Sequence, residues 1–234
     1  MRKAIRIHDK LYLKENRYKN TKESFKLLIK ILKNKIKKFE KYTLLDVGCA
    51  NGELIYNLEK KCSNIEFTGL DVRKDLIKKA KRHVSKKVKF LHRDISTKKI
   101  IKKKYDIIIC AGVLAIFDNY KTILSNLSKL LKKDGEIYLF GNFNIYDFDV
   151  LIKYKDLNKN PNNLQSGWNI WSLLTIRKFF KNKKIKLYKF YINKKISPKK
   201  NDPVRSWTIN IKNKNYFTNA LSIIQRQFLS LIHI

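Results

Sequence analysis

The sequence has few of the residues that restrict where a protein can live. Its three cysteines, Cys49, Cys62 and Cys110, are odd in number and follow no framework spacing. That argues against a disulfide-stapled secreted scaffold and for a reducing compartment. The four histidines are scattered, so no metal-ligating cluster is expected. Three prolines in 234 residues leave room for long regular elements and one ample core. Residues 1–22 are basic but have no apolar run, so they do not read as a signal peptide. The longest apolar stretch, Ile107 to Phe117, falls far short of the roughly 20 residues that span a bilayer. These absences predict a soluble, cytoplasmic chain with no membrane span.

Acidic residues are also scarce. Nineteen Asp and Glu face 54 Lys and Arg, a formal charge of +35 and a sequence pI of about 10.1. Such a balance admits nucleic acid as a partner. Yet the charge is nearly all lysine, spread along the whole chain. Arginine, the better residue for bidentate phosphate recognition, is sparse. Compositional drift therefore competes with a nucleic-acid surface.

What the chain does have is one punctuated stretch, Leu44-Leu45-Asp46-Val47-Gly48-Cys49-Ala50-Asn51-Gly52-Glu53-Leu54. An apolar run ends in a carboxylate, two glycines follow, and Leu54, Ile55 and Leu58 then fall on one helical face. The pattern predicts strand, tight loop and helix. Glycines permit backbone angles closed to other residues and a close approach by a ligand. The helix start offers unpaired N–H groups. The dinucleotide fingerprint is Gly-x-Gly-x-x-Gly, and Asp46 would be unfavourable beside a pyrophosphate.

In its first motif, (Asp/Glu)-x-Gly-x-Gly-x-Gly, the chain resembles the class I S-adenosylmethionine-dependent methyltransferases. It matches at Asp46, Gly48 and Gly52 and departs at Ala50, where a glycine is expected. The resemblance implies a Rossmann-like α/β fold: a doubly wound, mostly parallel seven-stranded sheet, its last strand antiparallel, with helices on both faces. It also implies S-adenosyl-L-methionine as cofactor.

Further elements follow in order. Asn20 is placed to cap an amphipathic helix whose apolar positions run from Phe25 to Phe39. Ile65, Phe67 and Leu70 make a strand ending at Asp71, where a carboxylate can accept two hydrogen bonds from a ribose diol. Val88 to Leu91 leads to Asp94 and Ile95. The resemblance implies that Asp94 holds the adenine amine, with Ile95 and Val72 packing on the ring. Tyr105 to Cys110 reads as a strand buried on both faces. It leads to Ala111 and Gly112, which the resemblance places beside the transferred methyl. The cofactor set is thus Asp46, Gly48, Cys49, Ala50, Asn51, Gly52, Asp71, Val72, Asp94, Ile95, Ala111 and Gly112. For catalysis no residue is strongly marked: Asp118 and His92 are weak base candidates, and Asp118 reads more readily as a helix cap.

Lys133-Asp134-Gly135 reads as a turn before a strand over Glu136–Phe140. Strand six is expected over Ile185–Ile192, a surface loop over Asn193–Asp202, and antiparallel strand seven over Arg205–Ile211. Leu221–Ile234 is β-prone and suits a terminal hairpin. Residues 1–42 form an arm and helix, in which Arg17 or Tyr18 could fold over the cofactor, and 43–234 the methyltransferase domain. Within it, 143–171 read as an aromatic lid that forms the acceptor pocket. The expected acceptor is a small molecule, such as a sugar, surface-glycan or metabolite hydroxyl. An RNA methyltransferase and a non-catalytic nucleotide-binding protein of the same fold stay open.

Overall fold

The computed structural model describes residues 12–97, 101–157, 160–190, 195–198, 204–225 and 229–233. Its central sheet begins with β1 (Tyr42–Val47), whose residues 44–47 are all buried. Parallel neighbours flank it on both edges: β2 (Ile65–Asp71) and β4 (Tyr105–Ala111). Beyond β2 lies β3 (Lys89–His92), and beyond β4 lies β5 (Leu131–Asn144), again parallel. The central β1 and β4 read as largely apolar runs because helices cover both faces of the sheet.

One face carries α1 (Glu23–Lys35), α2 (Glu53–Glu59) and α3 (Lys74–His83). Their Leu28, Leu32, Ile55, Leu58, Ile77 and Ala80 pack on Leu44, Phe67, Ile107, Ile109 and Tyr138. The other face carries α4 (Tyr120–Leu130) and α5 (Leu173–Phe179). There Ile123, Leu127 and Ile176 meet Leu45, Val47, Ile108, Cys110 and Leu139. Successive strand residues thus feed two separate cores, as a period of two requires.

The sheet runs β3-β2-β1-β4-β5-β13-β9, with β9 at Lys186–Phe190 and β13 at Leu229–His233. β13 is antiparallel to both of its neighbours. The doubly wound sheet with an antiparallel last strand is therefore as expected, but a different segment supplies that strand. Arg205–Ile211 does not join it. Instead β10 (Trp207–Ile211) pairs with β11 (Lys214–Asn219) and β11 with β12 (Ser222–Gln225) in a separate small sheet. The alternation in 207–211 forecast a strand correctly. It did not forecast the partner, which is Lys214–Asn219 in a hairpin rather than the edge of the main sheet.

Smaller departures have local causes. Lys22, not Asn20, sits at the cap of α1, with no side-chain hydrogen bond. The helix stops at Lys35, leaving Phe39 93% exposed. The turn expected at 133–135 lies inside β5 as a register shift against Tyr105–Ile107. Between β5 and α5 lie a hairpin, β6 (Lys153–Asp156) with β7 (Asn160–Ser166), and the two-residue β8 (Trp171–Ser172). Most of the loop expected over Asn193–Asp202 lies outside the described residues, as do residues 1–11. Among the described residues no helix is long and apolar enough to cross a membrane.

Candidate active site

The carboxyl ends of β1, β2, β4 and β5 open into a cavity of about 350 Å³. This is where ligands bind in open parallel sheets. Its floor is the loop after β1, which turns by placing Gly48, Ala50 and Gly52 at φ of 71°, 47° and 77°. A side chain on Gly48 would put its Cβ 2.2 Å from Val113 Cγ2, so the loops after β1 and β4 touch there. Gly112, at φ 73°, differs: nothing stands within 4 Å of where its Cβ would be, and it borders open space.

Of the twelve residues expected to hold the cofactor, eleven line this cavity. The exception is Gly52. Its φ requires glycine, but a Cβ there would press on Val84, Ala80 and Phe90. Gly52 therefore seats the loop against α3 and β3 and does not face the cavity.

Two carboxylates dominate the floor. Asp46 is 3% exposed, and among the described residues no hydrogen-bond donor reaches it. Burial, reinforced by nearby Asp71, pushes its pKa up to about 8. Asp71 is buried too, but engaged. Its Oδ2 accepts the Ala50 N–H at 2.9 Å and its Oδ1 the Arg73 N–H at 2.8 Å. Each carboxylate oxygen can accept a further bond. Next to it, Val72 is 58% exposed although strongly apolar, and it lines the cavity, as does Ile95. Asp94 Oδ1 accepts from the Ser96 N–H and hydroxyl.

The arm before α1 lies over the loop. The Tyr18 hydroxyl donates to Asn51 O at 2.7 Å, and the Arg17 N–H donates to Glu53 Oε1 at 2.6 Å. Asn51 Nδ2 donates to Tyr12 O and Glu15 O. Tyr18 is thus a strap, stacked on His83, while Tyr12 and Lys22 are the arm residues that line the cavity. Glu15 also pairs with Arg205, which brings Ser206 to the rim.

The end formed by β4 and β5 is neutral. Gly112, Val113, Phe117, Phe140, Asn142 and Trp168 are among its lining residues, and none of the lining residues from these segments is charged. Trp168 is held at φ 59° by its neighbour Asn169, which is fully buried. The Asn169 N–H donates to Ala115 O, its Nδ2 donates to Phe117 O and Asp118 Oδ1, and its Oδ1 accepts from the Ile152 N–H.

Neither base candidate lines the cavity. Asp118 accepts from Lys153, Ser166 and Asn169, which hold its carboxyl below the usual range. It ties the segment around 153–169 to the loop after β4, and the helix cap is Asn119. His92 Nε2 meets Val72 O at 2.9 Å on the exposed outer rim. The aromatics of 143–171 divide similarly. Trp168 lines the cavity and Trp171 is buried, but Tyr146 and Phe148 stack on each other at the surface, 65% and 59% exposed.

Arg93, next to Asp94 in the chain, lines the cavity as its place suggests, and four further lining residues lay outside the sequence expectations: Lys22, Arg73, Asn142 and Ser206. Arg73 carried a signal, since it follows Asp71 by two positions at a helix start. The others depend on distant segments folding together.

Comparison with known proteins agrees with this geometry. A family profile described as a methyltransferase domain matches residues 38–194. The malonyl-[acyl-carrier protein] O-methyltransferase of Bacillus cereus is 28% identical over 157 residues, 66% of this chain and 58% of that protein. The ubiquinone biosynthesis O-methyltransferase of Pelagibacter ubique is 28% identical over 131 residues, 55% of this chain and 50% of that one. The chain thus spans about half the length of these relatives. A chain from the solved complex of the Haloferax volcanii Trm112 methyltransferase activator superposes with a TM-score of 0.56 at 14% identity, covering 79% of each chain. That likeness concerns the fold alone.

Proposed function

The chain belongs to the methyltransferase-domain family, and on that premise we propose that it transfers a methyl group from S-adenosylmethionine to an oxygen of a small neutral acceptor. The observation that carries this reading is the division of charge along the cavity wall. Buried Asp46 and Asp71 stand on the floor, while β4 and β5 line their end with uncharged side chains.

The residues present fit the cofactor. Asp46 is a buried acid that no donor among the described residues reaches, a costly arrangement that a cationic ligand relieves. In this reading Asp71 meets the ribose diol, Val72 and Ile95 the faces of the purine and Asp94 its exocyclic amine, and all four line the cavity. Bound there, S-adenosylmethionine would supply a methyl already activated by a positively charged sulfur. The remaining task is to align the acceptor oxygen with the carbon–sulfur bond, and positioning of this kind is worth roughly 7–11 kcal/mol. Gly112 leaves room for that approach. Phe117, Phe140 and Trp168 offer apolar walls, and Asn142 a polar one. The segment 143–171 acts as the acceptor lid, and the relatives' names favour oxygen as the atom methylated. A sugar, surface-glycan or other metabolite hydroxyl suits this pocket.

RNA is the second reading, favoured by the net charge of +35. Against it, no lysine or arginine lines the β4–β5 end. Against a non-catalytic role, that end is open rather than filled by side chains. Calorimetric titration with S-adenosylmethionine, S-adenosylhomocysteine and NAD tests the cofactor, and only the first two are expected to bind. Methyl-labelled cofactor, offered a cell extract split into small-molecule and RNA fractions, tests the acceptor. Label in the RNA fraction alone would overturn the small-molecule reading.

A further inference from the structure

The segment between β5 and α5 turns its side chains the wrong way round for an element that faces water. Among the described residues nine large apolar side chains are exposed, and six of them fall in this stretch: Ile145, Tyr146, Phe148, Leu151, Leu157 and Leu164. Polar side chains go inward instead, and Gln165 and Asn169 are buried. The pairing of the chain produces this inversion. Val150 bridges Ile170, and β6 and β7 extend the hairpin. Alternate residues of a strand face opposite sides. Ile152 and Tyr154 are half-buried, with Tyr154 against Trp168 and its hydroxyl on Gln165 Oε1. Leu151, Lys153, Lys155 and Leu157 are exposed on the other side, and Leu164 turns outward next to inward Gln165. Ahead of the hairpin, Tyr146 and Phe148 stack with ring centroids 6.2 Å apart.

Concentrated exposed apolar surface marks a docking site, and composition and charge indicate for what. Lysine is depleted where proteins meet proteins. At a bilayer it lays its methylenes along apolar surface and lifts its ammonium toward the headgroups. Aromatic rings such as Tyr146 suit the same depth. Within 143–171, Lys153, Lys155 and Lys159 are balanced by Asp147, Asp149 and Asp156, so the whole formal charge of +35 lies outside the segment. A second copy of the chain would bring the same charge and be repelled, whereas an anionic surface attracts it. We propose that this face seats the protein on an anionic lipid bilayer. The leucines and the aromatic pair enter the headgroup boundary, Lys155 reaches the phosphates, and the rest of the chain supplies the long-range attraction. The protein lies on the bilayer, since no described helix is long and apolar enough to cross it. Trp168, which lines the cavity, belongs to the same hairpin, so docking and cavity share one element. This inference stands whether or not the cofactor is S-adenosylmethionine.

The test is co-sedimentation of the full chain with vesicles of phosphatidylcholine alone and of phosphatidylcholine with phosphatidylglycerol. Wild type is expected to bind the anionic vesicles at least about tenfold more tightly. A strongly basic chain adsorbs to any anionic surface, so the apolar face must be tested by itself. The double variant Phe148→Ser, Leu157→Ser is expected to weaken binding about tenfold or more, with the thermal melt unchanged. A second measurement does not depend on how that variant folds. The three native cysteines are buried, so an environment-sensitive dye can be directed to an introduced thiol. On anionic vesicles a dye at Leu157→Cys should shift to the blue and brighten, and a dye at Lys78→Cys, on α3, should not. Failure of wild type to bind anionic vesicles overturns the proposal. Equal binding by the serine variant, or the same dye response at both positions, also overturns it by marking adsorption through charge alone. A wild-type dimer that the serine substitutions dissociate overturns it as well, by giving the face to a second copy.

Discussion

Asp71 holds Ala50 in place: the carboxylate at the end of β2 accepts the Ala50 N–H at 2.9 Å, across the mouth of the first loop. The same carboxylate takes the Arg73 N–H. One side chain therefore shapes the loop, starts α3 and faces the cavity. Asp71→Ala removes two charge-assisted bonds, each worth about 1.5–3 kcal/mol. Urea unfolding is expected to show a stability loss of about 3–6 kcal/mol. Binding of S-adenosylhomocysteine should be abolished at concentrations that saturate wild type, and retained affinity would remove Asp71 from the site.

Ala50 itself is expected to be a point of strain. An L-residue in the left-handed region costs about 1–2 kcal/mol, and this alanine sits there at φ 47°. Glycine relieves that cost but gains freedom in the unfolded chain worth about 0.4–1 kcal/mol. Ala50→Gly should therefore stabilise the protein by about 0.5–1 kcal/mol in chemical denaturation. A destabilised variant would mean that the loop gains more from the methyl group than it loses in backbone strain.

Asp46 gives stability a pH dependence of definite sign. In the folded chain it keeps its proton up to about pH 8, whereas its ordinary value is 3.8. Between these limits the unfolded state binds fewer protons, so this group's contribution to stability falls as pH rises. The slope is at most about 1.4 kcal/mol per pH unit. Asp46→Asn should consequently gain on wild type when melting temperatures at pH 5 and pH 8 are compared. A cationic ligand reverses the preference by favouring the ionised acid. Its affinity should rise between pH 6 and pH 8, with a proton released on binding, read as a buffer-dependent heat. Absence of proton release would detach Asp46 from the ligand.

Asn169 is expected to control the lid. Asn169→Ala leaves the backbone donor in place but deletes the side-chain bonds to Phe117 O, Asp118 Oδ1 and the Ile152 N–H. At about 1 kcal/mol each, the loss is near 3 kcal/mol. Limited proteolysis should open the chain first between residues 145 and 168, and acceptor turnover should fall more than cofactor affinity. Equal loss of both would mean that the lid is part of the cofactor site as well.

The parallel half of the sheet was legible because each strand announces itself locally. Apolar runs ending in Asp46, Asp71 and Cys110 need both faces buried, and a carboxylate or small residue at the carboxyl end marks the ligand side. The rest depended on choices between distant partners. Trp207–Ile211 and Leu229–His233 have similar β character, and only three-dimensional proximity decides which one pairs with β5. Asp118 looked like a base because it follows the β4 loop. The lysine and asparagine that occupy it come from 35 and 51 residues farther along. Arg73 stands two positions after Asp71 at a helix start, a signal of place, but only the fold shows it buried at the cavity.

The position of β13 has a bearing on how the molecule is made. Leu229–His233 lies between β5 and β9, bonded to both. While the ribosome is still at work, β3, β2, β1, β4 and β5 can assemble in synthesis order, but β9 has no edge to join until residue 233 emerges. The cofactor crevice can therefore mature early, while the far margin of the sheet waits as an uncapped edge, open to intermolecular strand addition during translation.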